Sequence, residues 1–122
     1  MRVWWVLVAV AAATPVAAAD QFDLVCKAKK TTVRYRIDLA RGEWCFDDCK
    51  MVQKLAEVTS GEIVLRRQEP LSPRDQRVEN RISRADGSWY WYSYSPRLDT
   101  VPNVVKGVCE ASSFTGFPAT KF

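Results

Sequence analysis

An alternation of apolar and polar residues with a period of two is the feature that most constrains the fold. It is clearest in residues 32–39. The apolar positions of that segment are Val33, Tyr35, Ile37 and Leu39. Because successive side chains of a strand point to opposite faces of a sheet, one face of this segment is apolar and the other polar. The pattern is typical of an antiparallel sheet with one face on a core and the other in water.

Further strand-like segments recur along the chain, separated by turn residues. They are residues 22–26, 54–58, 62–67, 76–84, 88–95 and 104–111. Strands this short, joined by tight turns, leave no room for the crossovers that parallel strands need. We therefore predict an all-β fold: an antiparallel meander of about seven strands that closes into a barrel, a partly open barrel or a sandwich. Residues 48–52 also fit one short helical turn, with Asp47 or Asp48 as its N-cap.

The strongest local signal is Asp86-Gly87, which lies between two strand-like segments. Both residues tolerate positive φ, so the dipeptide favours a two-residue type I′ turn. That turn would pair Ile82 with Trp91. The face predicted to lie in the core then holds Val78, Ile82, Trp89 and Trp91. The face predicted to meet solvent holds Glu79, Arg81, Tyr90, Tyr92 and Tyr94.

The cysteines predict a fold stapled by two disulfides. They are Cys26, Cys45, Cys49 and Cys109. We favour the pairs Cys26–Cys109 and Cys45–Cys49, the first of which would join the closing edges of a barrel. A zinc site would need a second cysteine pair or histidines, and the chain has no histidine. A catalytic dithiol is disfavoured by the C-x-x-x-C spacing and by the two aspartates inside it.

Residues 1–19 predict a cleaved secretory signal peptide. Arg2 supplies a positive charge, an apolar run follows, and Ala17-Ala18-Ala19 forms a small-residue cleavage site. A membrane-spanning helix needs about 20 apolar residues, more than this run contains. We therefore expect residues 20–122 to form a single domain, exported to the periplasm or the extracellular space, without a membrane span after cleavage.

The composition points away from an enzyme. Without histidine, Ser–His–Asp and Cys–His mechanisms are excluded. The carboxylates are scattered and there is no glycine-rich phosphate loop, so a carboxylate-based hydrolase is a minor alternative. We predict no metal and no cofactor. We also predict no nucleic-acid partner, because a formal charge of +4 is only mildly basic. Nothing in the sequence indicates an oligomeric state.

The aromatic run of residues 89–94 is the one segment that suggests a function. If Tyr90, Tyr92 and Tyr94 are exposed, they form a strip that could bind an envelope protein or glycan, with Arg81 opposite Tyr92. The competing interpretation is that these aromatics only pack across neighbouring strands.

An alternative function is a lipocalin-like carrier, with a small hydrophobic ligand inside the barrel. Large side chains argue against it, because they would fill the interior of a barrel of about seven strands. These side chains are Phe22, Tyr35, Trp89 and Trp91.

The opening residues Phe22-x-x-x-Cys26, followed by Thr32-Val33-Arg34-Tyr35, resemble the start of small periplasmic barrels that inhibit lysozyme. The resemblance implies a periplasmic β-barrel that binds a protein. These two segments alone carry the resemblance.

Overall fold

The computed structural model describes residues 19–118, so the predicted signal peptide lies outside the described residues except for Ala19. The described chain forms nine strands and no helix. The strands are β1 (Gln21–Ala28), β2 (Thr32–Asp38), β3 (Glu43–Phe46), β4 (Gln53–Lys54), β5 (Glu57–Val58), β6 (Glu62–Gln68), β7 (Arg77–Ser83), β8 (Ser88–Tyr94) and β9 (Asn103–Ser112). Seven of them have four or more residues, and the all-β prediction is confirmed. None of the described residues belongs to a helix that could span a membrane.

All nine strands form one curled antiparallel sheet, a half-barrel, in the order β4-β3-β2-β1-β9-β8-β7-β6-β5. Strands that follow one another in sequence pair with one another, except β4 and β5, which lie at the two edges. Only Leu55 and Ala56 separate these two strands. The Leu55 N–H donates to the Gly42 carbonyl (2.8 Å) and the Ala56 N–H to the Val64 carbonyl (2.9 Å). The chain therefore crosses between the two edges at this point, which we call the seam.

The first and last strands meet in the middle of the sheet rather than at its edges. Cys26 on β1 lies directly opposite Cys109 on β9, and the two are joined by a disulfide with a Cα–Cα distance of 3.9 Å. The disulfide therefore links the first strand to the last, as expected, but the half-barrel is open at another place, the seam. Of the architectures predicted, the partly open barrel describes the sheet best.

The second disulfide, Cys45–Cys49, closes the turn that follows β3. The Cys49 N–H donates to the Phe46 carbonyl (2.9 Å), and Asp47 and Cys49 both have positive φ, 50° and 56°. A right-handed helix needs negative φ, so this geometry excludes the helical turn that residues 48–52 suggested.

The β7–β8 hairpin has a turn of four residues, 84–87, rather than two. Only Gly87 has positive φ (74°), and its N–H donates to the Ser83 carbonyl (2.9 Å). Ile82 consequently pairs with Trp89 instead of Trp91, so the predicted register is wrong by two residues. Because the side-chain period of a strand is two, each residue nevertheless keeps its predicted face.

The core lies on the concave face of the half-barrel and includes a short polar chain. The Trp89 indole N–H donates to Asn80 Oδ1 (2.9 Å), and Asn80 Nδ2 donates to the Tyr35 hydroxyl (3.1 Å). Tyr35 also makes edge contacts with Trp89 and Trp44, with ring centroids 5.9 and 5.8 Å apart. The buried amide is thus bonded to two core aromatics, as a polar group in such a place must be.

A buried carboxylate on the convex face holds the last described residues against β1 and β2. Asp23, which is 0% exposed, accepts hydrogen bonds from the Arg34 guanidinium, the Thr115 N–H (3.2 Å) and the Thr115 hydroxyl (2.7 Å). Arg36 donates to the Gly116 carbonyl (2.8 Å). The basic side chains of β2 are therefore occupied by structural contacts.

Candidate functional site

The three candidate tyrosines lie in the middle of the sheet on its convex face. Tyr90, Tyr92 and Tyr94 are each half-buried along β8. Trp89 alternates with them and is only 2% exposed in the core, while Trp91 packs against the core from a half-buried position. The predicted division of β8 into an apolar inner face and a tyrosine outer face is thus present.

Two arginines of β7 cover two of the three rings. The guanidinium carbon of Arg81 lies 4.8 Å from the centroid of the Tyr90 ring, and that of Arg77 lies 5.7 Å from Tyr92. The predicted pairing of Arg81 with Tyr92 is wrong by two residues because of the longer turn, and Glu79 lies opposite Tyr92 instead. Contacts of this type are worth about 0.5–1 kcal/mol at exposed sites. They also hold the cations over the aromatic surface.

The neighbouring strand β9 extends this surface with residues that sequence reasoning missed. Val104 lies opposite Tyr92, Lys106 opposite Tyr90, and Val108 opposite Ser88. Val104 and Val108 are 48% and 55% exposed. The available signal was that β9 is apolar on both faces, with Val104 and Val105 adjacent in sequence. We use the name tyrosine surface for the convex positions Tyr90, Tyr92, Tyr94, Val104 and Val108.

The charges around the tyrosine surface are mainly positive. Arg77 and Arg81 lie on one side of it and Lys106 on the other. Among the described residues, Glu79 is the only carboxylate directly opposite a tyrosine of the tyrosine surface. It pairs with the Arg81 guanidinium at 3.3 Å. The surface therefore presents aromatic rings and cations together.

Two buried titratable side chains of the described residues, Tyr35 and Asp23, are held in hydrogen bonds. Burial raises the pKa of the Tyr35 hydroxyl to about 12, so it keeps its proton at neutral pH. Within residues 19–118, no three His, Cys, Asp or Glu side chains converge as metal ligands. The buried Asp23 carboxylate is occupied by Arg34 and Thr115.

The concave side is less completely filled than the sequence suggested. A pocket of about 300 Å³, which we call the seam pocket, opens beside the seam. A second pocket of about 180 Å³ lies near the β7–β8 turn. The side chains that line the seam pocket include Tyr35, Trp44, Phe46, Arg66, Asn80 and Trp91.

No protein-family model matches this chain, and neither does any curated protein or solved structure. The likeness of the opening residues to lysozyme-inhibiting barrels stays an observation on those residues alone.

Proposed function

We propose that this chain is an exported, non-catalytic binding domain whose tyrosine surface holds an envelope protein or glycan that carries anionic groups. The observation that carries the proposal is the stacking of Arg81 and Arg77 over half-exposed rings of β8. Tyrosine and arginine, like tryptophan, are enriched among the anchors of binding surfaces, since they offer large contact area and directed hydrogen bonds.

The dimensions of the tyrosine surface favour an extended partner. From Tyr90 to Tyr94 is four residue steps, or about 14 Å along the strand. Three neighbouring strands span about 10 Å across it. An area of this size is well below the about 800 Å² that each partner buries in a standard protein interface. A glycan chain or an extended acidic peptide fits it better than a broad globular face.

Two features support export. The structure contains two disulfides and no free cysteine among the described residues, which is typical of proteins in oxidising compartments. The predicted signal peptide adds the second argument, from sequence. Both favour the periplasm or the extracellular space as the place where a partner is met.

The test captures crosslinked partners from the native periplasm, with the unchanged protein and the variant Tyr92→Ser/Val104→Ser as baits. Tyr92 and Val104 face each other across β8 and β9. We expect at least tenfold less capture than with the unchanged protein, because both contribute exposed apolar contact at the centre of the surface. Capture should also decline as salt is added, since the surrounding charges are exposed.

The matched control is Leu71→Ser, which also replaces an apolar residue by serine but lies in the β6–β7 loop, 98% exposed. It should capture partners as the unchanged protein does. Melting temperatures of both variants should stay within a few degrees of the original. Equal capture by all three proteins would refute the proposal, and a large loss of stability in the first variant would show that these residues serve packing.

A further inference from the structure

The seam pocket exists because β4 and β5 are too short to close the half-barrel. β4 pairs only with Glu43 and Trp44, so Phe46 at the end of β3 has no neighbour on that side. β5 pairs only with Ile63 and Val64, which leaves the later residues of β6 uncovered there. The two uncovered stretches face each other across the seam, and the pocket opens between them.

The size of the seam pocket suits a small molecule. Its volume is about 300 Å³, whereas a cavity of about 150 Å³ is enough to hold benzene. It lies at the lower end of the about 300–1,000 Å³ range of ligand sites, which are mostly apolar with a few placed polar groups. A fused pair of aromatic rings is therefore close to the largest ligand that fits.

Aromatic side chains form its walls. Trp44 and Phe46 have ring centroids 6.2 Å apart and planes inclined by 34°, and Trp91 lines the pocket from β8. Phe46 is 46% exposed although it belongs to the wall, so an apolar ring already stands at the opening. Rings arranged in this way contact a planar ligand over its faces and edges.

Polar groups stand at both ends of the pocket. Inside, the Asn80 amide has two N–H donors, and the contacts among the described residues use one of them, to Tyr35. At the opening, the Arg66 guanidinium makes a hydrogen bond to Gln68 Oε1 (3.3 Å). None of the ion pairs among residues 19–118 includes Arg66. Asp47 also lines the pocket, and its carboxylate accepts the Arg34 backbone N–H (3.2 Å).

We propose that the seam pocket binds a small planar aromatic carboxylate. The rings lie among Trp44, Phe46 and Trp91, and the carboxylate meets the guanidinium of Arg66. A guanidinium presents two parallel N–H donors that match the two oxygens of a carboxylate, which gives orientation as well as affinity. This site lies on the concave face and is separate from the tyrosine surface, so it adds a second ligand to the proposed partner.

The test titrates the full mature chain with 2-naphthoate and, separately, with 2-naphthylmethanol, which has the same rings but no charge. Calorimetry measures affinity, and the indole N–H signals of Trp44 and Trp91 in NMR spectra locate the ligand. We expect one naphthoate per chain, shifts at both indoles, and at least fivefold tighter binding than the alcohol.

Two variants separate the carboxylate contact from simple apolar uptake. Arg66→Gln should abolish the preference for naphthoate over the alcohol, whereas Arg74→Gln, at an exposed arginine of the β6–β7 loop, should preserve it. Gln53→Trp, on the edge strand that lines the pocket, should block both ligands. Tyr92→Ser/Val104→Ser should bind naphthoate as the unchanged protein does. A failure of the seam-pocket proposal is therefore distinguishable from a failure of the proposed function of the tyrosine surface.

Three results would overturn the proposal. The first is no naphthoate binding at millimolar concentration. The second is equal affinity for acid and alcohol, which would make the pocket a carrier site for neutral apolar molecules. The third is binding that Arg66→Gln leaves unchanged or that shifts neither indole, which would place the ligand elsewhere.

Discussion

Tyr35 shows how a single buried polar side chain is accommodated in the core. Its hydroxyl accepts a hydrogen bond from Asn80, which in turn accepts one from the Trp89 indole. Desolvation is the largest effect on the phenol and raises its pKa from 10.0 to about 12, although the hydrogen bond from Asn80 acts in the opposite direction. Tyr35 therefore stays neutral in the folded protein well into the alkaline range.

The raised pKa of Tyr35 makes stability depend on alkaline pH. Well below pH 10, both the folded and the unfolded chain hold this proton, so the ionisation of Tyr35 does not lower the free energy of unfolding. As the pH rises from 10 towards 12, the unfolded chain releases the proton while the folded chain keeps it, and the free energy of unfolding falls. We expect Tyr35→Phe to remove this component, so that urea unfolding becomes less dependent on pH across that window.

The near-ultraviolet absorbance of tyrosinate reports the same group directly. The difference between the titrations of the folded unchanged protein and of Tyr35→Phe should show one phenol with a midpoint near 12. Tyr94→Phe, on the convex face, should keep that alkaline component. A difference titration centred near 10 would contradict the buried environment of Tyr35.

Residue patterns could predict the burial of Tyr35 and Trp89 but not their link through Asn80. Alternation assigns a side chain to a face, because it depends only on the neighbours in sequence. Asn80 interrupts an apolar face between Val78 and Ile82, which is a visible signal. Its partners lie 45 and 9 residues away in sequence, so only the folded chain reveals them.

At the scale of the strands, β9 leaves no room for a side chain at Gly107, where it lies between β1 and β8. Gly107 lies opposite Trp89 on one side and Ala28 on the other. A Cβ atom there would stand 2.2 Å from the Lys27 carbonyl oxygen and 3.1 Å from the Trp89 ring. The close contact is with backbone, so no change of rotamer relieves it.

We expect Gly107→Ala to destabilise the protein by about 3 kcal/mol or more, because the β1–β9 pairing must open to admit the methyl group. Gly61→Ala is the matched control, since the nearest atom to its added Cβ is the Thr59 side-chain oxygen at 3.9 Å. That variant should be neutral or slightly more stable, as the unfolded chain loses freedom. The free energies of unfolding in urea measure both, and equal values would refute the close fit.

The strands themselves were predictable where the alternation was long enough, as in β2, β7 and β8. Residues 54–58, expected as one strand, are divided into β4 and β5 by Leu55 and Ala56, and the turn at Asp86-Gly87 has two more residues than the dipeptide suggested. The tyrosine face was predictable in spite of that error, because a shift of two residues preserves faces. The seam pocket was not, since it arises from where β4 and β5 stop.

For the whole molecule, the position of the opening decides which surfaces are available. The pairing of β1 with β9 joins the two ends of the described chain and leaves the gap between β3 and β6. Sequence patterns define strands and faces but not which pair is left open, because closure depends on contacts between distant residues. The concave pocket and the convex tyrosine surface are both consequences of this arrangement.

The pairing of the chain ends also predicts that the two disulfides stabilise the protein by different amounts. Cys26–Cys109 spans 83 residues and Cys45–Cys49 only 4. In the chain-entropy model, the long loop is worth about 4–5 kcal/mol and the short one about 2 kcal/mol, since a longer loop restricts the unfolded chain more. Contacts from Asp23 to Thr115 and the β1–β9 hydrogen bonds persist without sulfur, so the folded sheet should survive either loss.

We therefore expect Cys26→Ala/Cys109→Ala to lower the free energy of unfolding by about twice as much as Cys45→Ala/Cys49→Ala. Urea unfolding of the two double variants against the unchanged protein provides the measurement, and far-ultraviolet circular dichroism checks that each retains its sheet. If the Cys45–Cys49 variant were the less stable, restriction of the unfolded chain would not be the main role of these bonds. The turn with positive φ at Asp47 and Cys49 would then be the structure that depends most on sulfur.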